Sequence, residues 1–177
     1  MEFKAAEIIA SLSLLVSCAA VYFARASSKK ANKIAEDNFK QTSKIAEDNF
    51  KLQQGMVDLE IMQSIEGAKL QVSESSKIMI PYKVKEDNQT ISDEDAAILE
   101  LYRKSFDASV QTMINYYDAA CSKFIDGKVD VERFKKTYTV EIRQLVENQE
   151  LQRYFHPTTS KYRAILKLYK EWEDLEK

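Results

Sequence analysis

Residues 5–24 read AAEIIASLSLLVSCAAVYFA, an apolar run whose only charge is Glu7. A helix that crosses a bilayer needs about 20 such residues, because lipid offers the backbone no hydrogen-bond partners outside the helix itself. The run predicts a spanning helix, residues 1–26 being the anchor. Glu7 falls near one edge, where its stem can snorkel, and Tyr22 and Phe23 fall at the other, where aromatic rings favour the headgroup level. Arg25, Lys29, Lys30 and Lys33 follow the run at once, whereas Lys4 precedes it against Glu2 and Glu7. The positive-inside rule then puts the amino terminus outside and the bulk of the chain in the cytoplasm.

Two rivals compete with a retained span. A cleaved secretory signal needs a basic first region and a small-residue cut site, but this run carries acids before it and passes unbroken into a helical pattern. Leu15-Val16-Ser17-Cys18 resembles a bacterial lipobox, which would make Cys18 a lipidation site and the protein a lipoprotein. A lipidated cysteine is normally followed by a polar tether. Residues 19–24 stay apolar, so cutting at Cys18 would waste about a third of the span.

One face of the run is small. Ala6, Ala10, Ser13, Ser17, Ala20 and Ala24 recur at spacings of four and three, and Ser27 and Ala31 continue them. Small residues let helix backbones approach closely in lipid, so this face is a candidate for self-association. Beyond it, KIAEDNF occurs at residues 33–39 and again at 44–50, a period of 11. That is three helical turns, and it keeps an apolar stripe nearly straight. Ile34, Ile45 and Met56 share one register; Phe39, Phe50 and Ile61 share another; Ala35, Ala46 and Val57 share a third. Lys40, Lys44, Glu47, Asp48 and Lys51 occupy the opposite face. The repeat predicts a stalk or coiled-coil helix over residues 27–75, with both large-residue registers as candidate oligomerisation positions. A narrow apolar stripe cannot bury itself, so it must meet a copy, another protein or the rest of the chain.

The helical pattern weakens at Ser73-Glu74-Ser75-Ser76 and meets Pro81, so residues 76–92 are expected to form a linker. Ser92, with acids at 93–95, then signals a helix start. A helix over about residues 93–125 follows, with Ile98, Leu101, Phe106, Val110, Ile114, Tyr117 and Cys121 on its apolar face. Asp126-Gly127 ends it. Asp130 caps a helix over about residues 131–154, bending or fraying near Asn148. After His156-Pro157, one of Thr158, Thr159 or Ser160 caps a last helix with Tyr162, Ile165, Leu166, Tyr169 and Trp172 buried. The expected fold is all-α: an N-terminal transmembrane helix continuing into the stalk, then a small three-helix head over residues 93–177.

Composition supports helices and narrows function. The chain of 177 residues has only 3 Gly and 2 Pro, too few for a turn-rich β fold. A net charge of −2 gives no basic excess for nucleic acid. Cys18 and Cys121 lie in different regions and form no disulfide framework or CxxC pair. Asp126-Gly127-Lys128-Val129-Asp130 suggests a calcium loop, but setting Gly127 at loop position 6 puts Ser122, Phe124 and Arg133 where carboxylates are needed. His156 is the lone histidine, with no metal-ligand spacing around it. No phosphate-binding, nucleophile-elbow or zinc motif is present. No catalytic, cofactor or metal residue is expected, and the chain does not read as an enzyme. The aromatic residues of the head make a groove there a candidate docking face.

Residues 28–38, SKKANKIAEDN, together with residues 113–118, 124–130 and 162–172, resemble a loose set of uncharacterised bacterial and prophage proteins. These carry one N-terminal span, a helical stalk and a small helical cytoplasmic domain. The resemblance implies architecture alone. The location expected from the span and its basic flank is a bacterial inner membrane. The function expected is a membrane-anchored protein-interaction module, self-associating and binding an unknown protein partner, as an accessory or sensor of a larger system such as anti-phage defence. The alternative is an immunity or inhibitor protein whose acidic stretch, residues 86–95, covers a toxin or enzyme.

Overall fold

A computed structural model describes residues 2–174, without the side chains of residues 2, 3, 5–7, 11 and 174. The described residues form helices and no strand. Helix α1 runs Glu2–Asp87, α2 Asp93–Ile125, α3 Val131–Glu147 and α4 Arg163–Asp174, with a 3-10 turn over Gln149–Tyr154 between the last two. The fold is all-α, a long first helix followed by shorter ones. The chain divides into two compact units, Met1–Lys51 and Leu52–Lys177, and α1 contributes to both.

The expected linker over residues 76–92 is corrected by the structure: α1 continues through it to Asp87, and only residues 88–92 turn. Pro81 lies inside the helix on its exposed side. A proline there removes one backbone hydrogen bond and costs about 3 kcal/mol. Contacts with α2 offset it. The Tyr82 and Tyr102 rings sit 5.5 Å apart, Lys85 Nζ donates to Asp95 Oδ2 at 2.8 Å, and Arg103 donates to Glu86. Upstream, the Ser75 and Ser109 hydroxyls meet at 3.1 Å, so the serine run that reads as a break packs instead against α2.

The helix then stops in a Schellman arrangement. Thr90 N–H donates to Lys85 O at 2.8 Å and Gln89 N–H to Glu86 O at 2.9 Å, with Gln89 at φ 55°. Gly127 ends α2 in the same way at φ 69°, as its sequence position predicts. The two anticipated N-caps are present: Ser92 Oγ accepts from Asp95 N–H, and Asp130 Oδ1 accepts from Arg133 N–H. The third helix ends at Glu147 rather than Tyr154. Asn148 caps the 3-10 turn by accepting from Glu150 N–H at 2.8 Å.

The core of the second unit draws on every helix. Ile61, Ile65 and Ala68 of α1 join Ile114, Tyr117 and Cys121 of α2, Phe134 and Ile142 of α3, and Ile165, Leu168 and Trp172 of α4. The bundle therefore includes part of α1 as well as the three helices expected. Two details of register differ from the sequence reading. Leu101 is 65% exposed while Leu99 is 2% exposed, and Leu168 is buried deeper than the predicted Leu166 and Tyr169. Asp118 of α2 holds α4 in place. Its Oδ1 accepts from both Ala164 N–H and Ile165 N–H at 3.1 Å. These are two of the first-turn donors that a helix leaves unsatisfied. Ser160 Oγ accepts from Tyr162 N–H just before the helix and donates to Tyr154 O.

Candidate interaction surfaces

In the first unit, α1 contains a window with a mean hydropathy of 1.8 and none of it buried. It is the one candidate among the described residues for a helix long and apolar enough to cross a membrane. Ala10, Ser13, Ser17, Ala20 and Ala24 are exposed along it; the side chain of Ala6 lies outside the described residues. Cys18 is a free, exposed thiol. It stands one residue beyond Ser17, about 100° around the helix from the small-residue face.

Past the window, the stalk face is open. Phe39 is 75% exposed and Ile34, Ile45 and Phe50 are each about half exposed. On the opposite face Lys40 Nζ donates to Glu36 and Lys51 Nζ to Glu47, each at 2.6 Å. Such exposed i,i+4 pairs add a few tenths of a kcal/mol to the helix. Among the sequence candidates, Met56 is also exposed, but Ile61 is corrected: it is 4% exposed within the core of the second unit. Its side chain belongs to the chain's own packing and offers nothing to a second copy.

The second unit carries a groove of about 400 Å³ between α1 and α3, lined by Gly55, Leu59, Met62, Phe134, Thr137 and Tyr138. Asp58 and Arg133 lie in the same lining, with Arg133 Nη1 and Asp58 Oδ2 3.4 Å apart. Burial raises the Asp58 carboxyl above its ordinary range, and Arg133 works against that shift. Another cavity, of about 530 Å³, is lined by Val146, Phe155, Leu166 and Tyr169, with Lys170 and Glu173 also in its wall.

Several other polar groups are engaged within the fold. Tyr117 OH donates to Glu141 Oε2 at 2.6 Å, and Lys69 Nζ donates to the same oxygen at 3.1 Å. Burial, then the Glu141 hydrogen bond, pushes the Tyr117 hydroxyl upward. Burial likewise pushes the Cys121 thiol far above its usual range, which keeps it in the unreactive thiol form. His156 is exposed, its Nδ1 3.3 Å from the Thr158 hydroxyl. The Asp126–Asp130 segment is a helix corner, its last residue spent on capping α3. Among the described residues, no three side chains of His, Cys, Asp or Glu gather as metal ligands. The acidic stretch behind the inhibitor reading is partly engaged, since Glu86 pairs with Arg103 and Asp95 with Lys85.

Sequence reasoning finds the open stalk face through its repeat. It misses the α1–α3 groove, whose walls come from residues about 75 positions apart; Leu59 and Met62, spaced by three, are the available signal. No protein-family model, curated protein or solved structure compared with the chain matches it. The all-helical architecture is compatible with the resemblance drawn from residues 28–38 and extends it no further.

Proposed function

We propose that the protein is a single-span membrane protein that presents its helical head to the cytoplasm as an interaction module and associates with copies of itself. The supporting observation is the wholly uncovered apolar window of α1, flanked by Arg25, Lys29, Lys30 and Lys33 and followed by an equally uncovered stalk face. Uncovered window residues in water would lose the hydrophobic stabilisation that lipid restores. The basic flank supports the inward orientation and suits the anionic inner leaflet. The α1–α3 groove supports docking of a further protein on the head.

A pair of carboxy-terminal fusions tests the topology. A fluorescent protein that matures in the cytoplasm is expected to glow, and an alkaline phosphatase that folds in the periplasm is expected to stay inactive. The reverse pattern refutes the orientation. Extraction of the protein from membranes at alkaline pH refutes the span. Fatty-acid labelling abolished by Cys18→Ser would replace the span with a lipid anchor.

A further inference from the structure

The stalk face has a shape and a chemistry that identify its occupant. Ala31, Ala35, Asn38, Thr42, Ala46 and Asn49 follow one another at spacings of three and four, all exposed. They form a file of small side chains down the middle of the face. Ile34 and Ile45 line one side of the file and Phe39 and Phe50 the other, a consequence of 100° per residue. A low centre between two raised apolar rims is a trough, and a helix is the element that fills a trough of this kind.

Further along α1 two of the eleven-residue registers are already occupied, while Gln53, Met56 and Glu60, which continue those of Thr42, Ile45 and Asn49, stay exposed. Val57 and Ala68 stand in the register of Ala35 and Ala46, and Ile61 in that of Phe39 and Phe50. Ile61 and Ala68 are buried against the helices of the head, and Val57 packs on the same cluster. The registers of Ala35 and Phe39 are therefore used for helix packing where the chain supplies a partner, and both are open over residues 31–50.

Asn38 and Asn49 narrow the choice of partner helix. An Asn side chain both donates and accepts, so facing its own copy each amide satisfies the other. A buried Asn at a seam position is also a known device for fixing register. An identical chain places like beside like at both levels. The charged rim does not oppose this, because Glu36 and Glu47 are neutralised within their own helix.

We infer that residues 31–50 pair with the same residues of a second copy, parallel and in register, with Asn38 facing Asn38 and Asn49 facing Asn49. The inference rests on the span proposed above, which orients all copies alike and raises their effective concentration. The span also resolves an ambiguity in the repeat. Sliding one copy by 11 residues would match Asn38 with Asn49, but moves one helix by about 16 Å. That is half the hydrocarbon thickness of about 30 Å and would pull one apolar window out of the bilayer.

Cysteine cross-linking of the full chain in membranes tests this. Cys18→Ser removes the exposed thiol, and Cys121 is buried. Chains with Asn38→Cys, or with Asn49→Cys, are expected to form disulfide-linked dimers. Lys40→Cys and Lys51→Cys, on the far face, should do so about tenfold more slowly, given the lower local thiol concentration. Differently tagged Asn38→Cys and Asn49→Cys chains, mixed, should give no product carrying both tags. A mixed-tag product as fast as the like pairs overturns the register. Equal rates on both faces overturn the interface. Single-molecule photobleaching in nanodiscs separates the two layers of the argument. Dimers without preferred cross-linking at 38 and 49 sink this inference alone, whereas monomers sink the self-association reading and this inference with it.

Discussion

Removing the carboxylate of Asp118 is expected to unseat α4. In the native fold Asp118 Oδ1 takes two N–H groups from the first turn of α4, each at 3.1 Å. Losing a side-chain cap costs about 0.5–2 kcal/mol, and an acid at a helix N-terminus adds about 0.3–1 kcal/mol through the helix dipole. Because one oxygen serves two donors, Asp118→Ala should cost about 2 kcal/mol, near the middle of the combined range. Asp118→Asn keeps an acceptor and loses the charge, so about 1 kcal/mol is expected. For a cooperative unit of this size, about 2 kcal/mol lowers the Tm by about 8 °C. The single tryptophan reports the event directly: Trp172 lies on α4, packed 5.6 Å from the Phe124 ring and edge-on to it. Emission of the full chain in detergent should shift to the red at a lower temperature in Asp118→Ala than in Asp118→Asn. If the two variants melt together, the charge contributes nothing. If neither moves from wild type, the cap does not hold α4.

Gln89 sits at φ 55°, where glycine is favoured, so Gln89→Gly should stabilise the α1–α2 turn by about 0.5–1 kcal/mol, read from urea midpoints. Asp58 has its carboxyl raised, chiefly by burial, so its folded form holds a proton more tightly than its unfolded form. Its contribution favours folding at low pH and is lost as the pH rises through the carboxylate range. Asp58→Asn should therefore gain relative to wild type as the pH rises from acid to neutral, and parallel pH–stability curves would refute that. Ile61 and Phe50 share a register but not a fate. Ile61→Ala should cost the head about 2–4 kcal/mol by thermal melting, whereas Phe50→Ala should leave head stability within about 0.5 kcal/mol and weaken dimer cross-linking.

Elements with local signals are legible in the amino-acid sequence. Ser92, Asp130 and Gly127 each mark a helix end by their own chemistry, and α2 is delimited by them. Features held by distant partners are not. Pro81 and the polar residues after it read as a linker because nothing nearby explains a helix; the explanation is Tyr102, Asp95 and Arg103 on α2. Local chemistry points to residues 158–160 for the cap of α4, yet its main acceptor lies 46 residues away in Asp118. Leu99 and Leu101 are chemically alike, and only the packing partners of α2 choose between them. The open face of the stalk is legible because an exact repeat requires no partner to be seen. Where that face becomes covered is not, since Phe50 and Ile61 differ in what the rest of the chain brings to them.

If the proposed span holds, the sharing of α1 between the apolar window and the head's core bears on how the head could leave a membrane. Residues 57–72 are at once a continuation of the helix that carries the apolar window and a wall of the core, through Ile61, Ile65 and Ala68. A protease that cuts among them would strip the core of that wall and deliver unfolded chain. A cut among residues 27–51 would instead leave the second unit, Leu52–Lys177, whole. Release of a whole head and its destruction are thus separated by a few turns of one helix, and the boundary between them lies near Leu52.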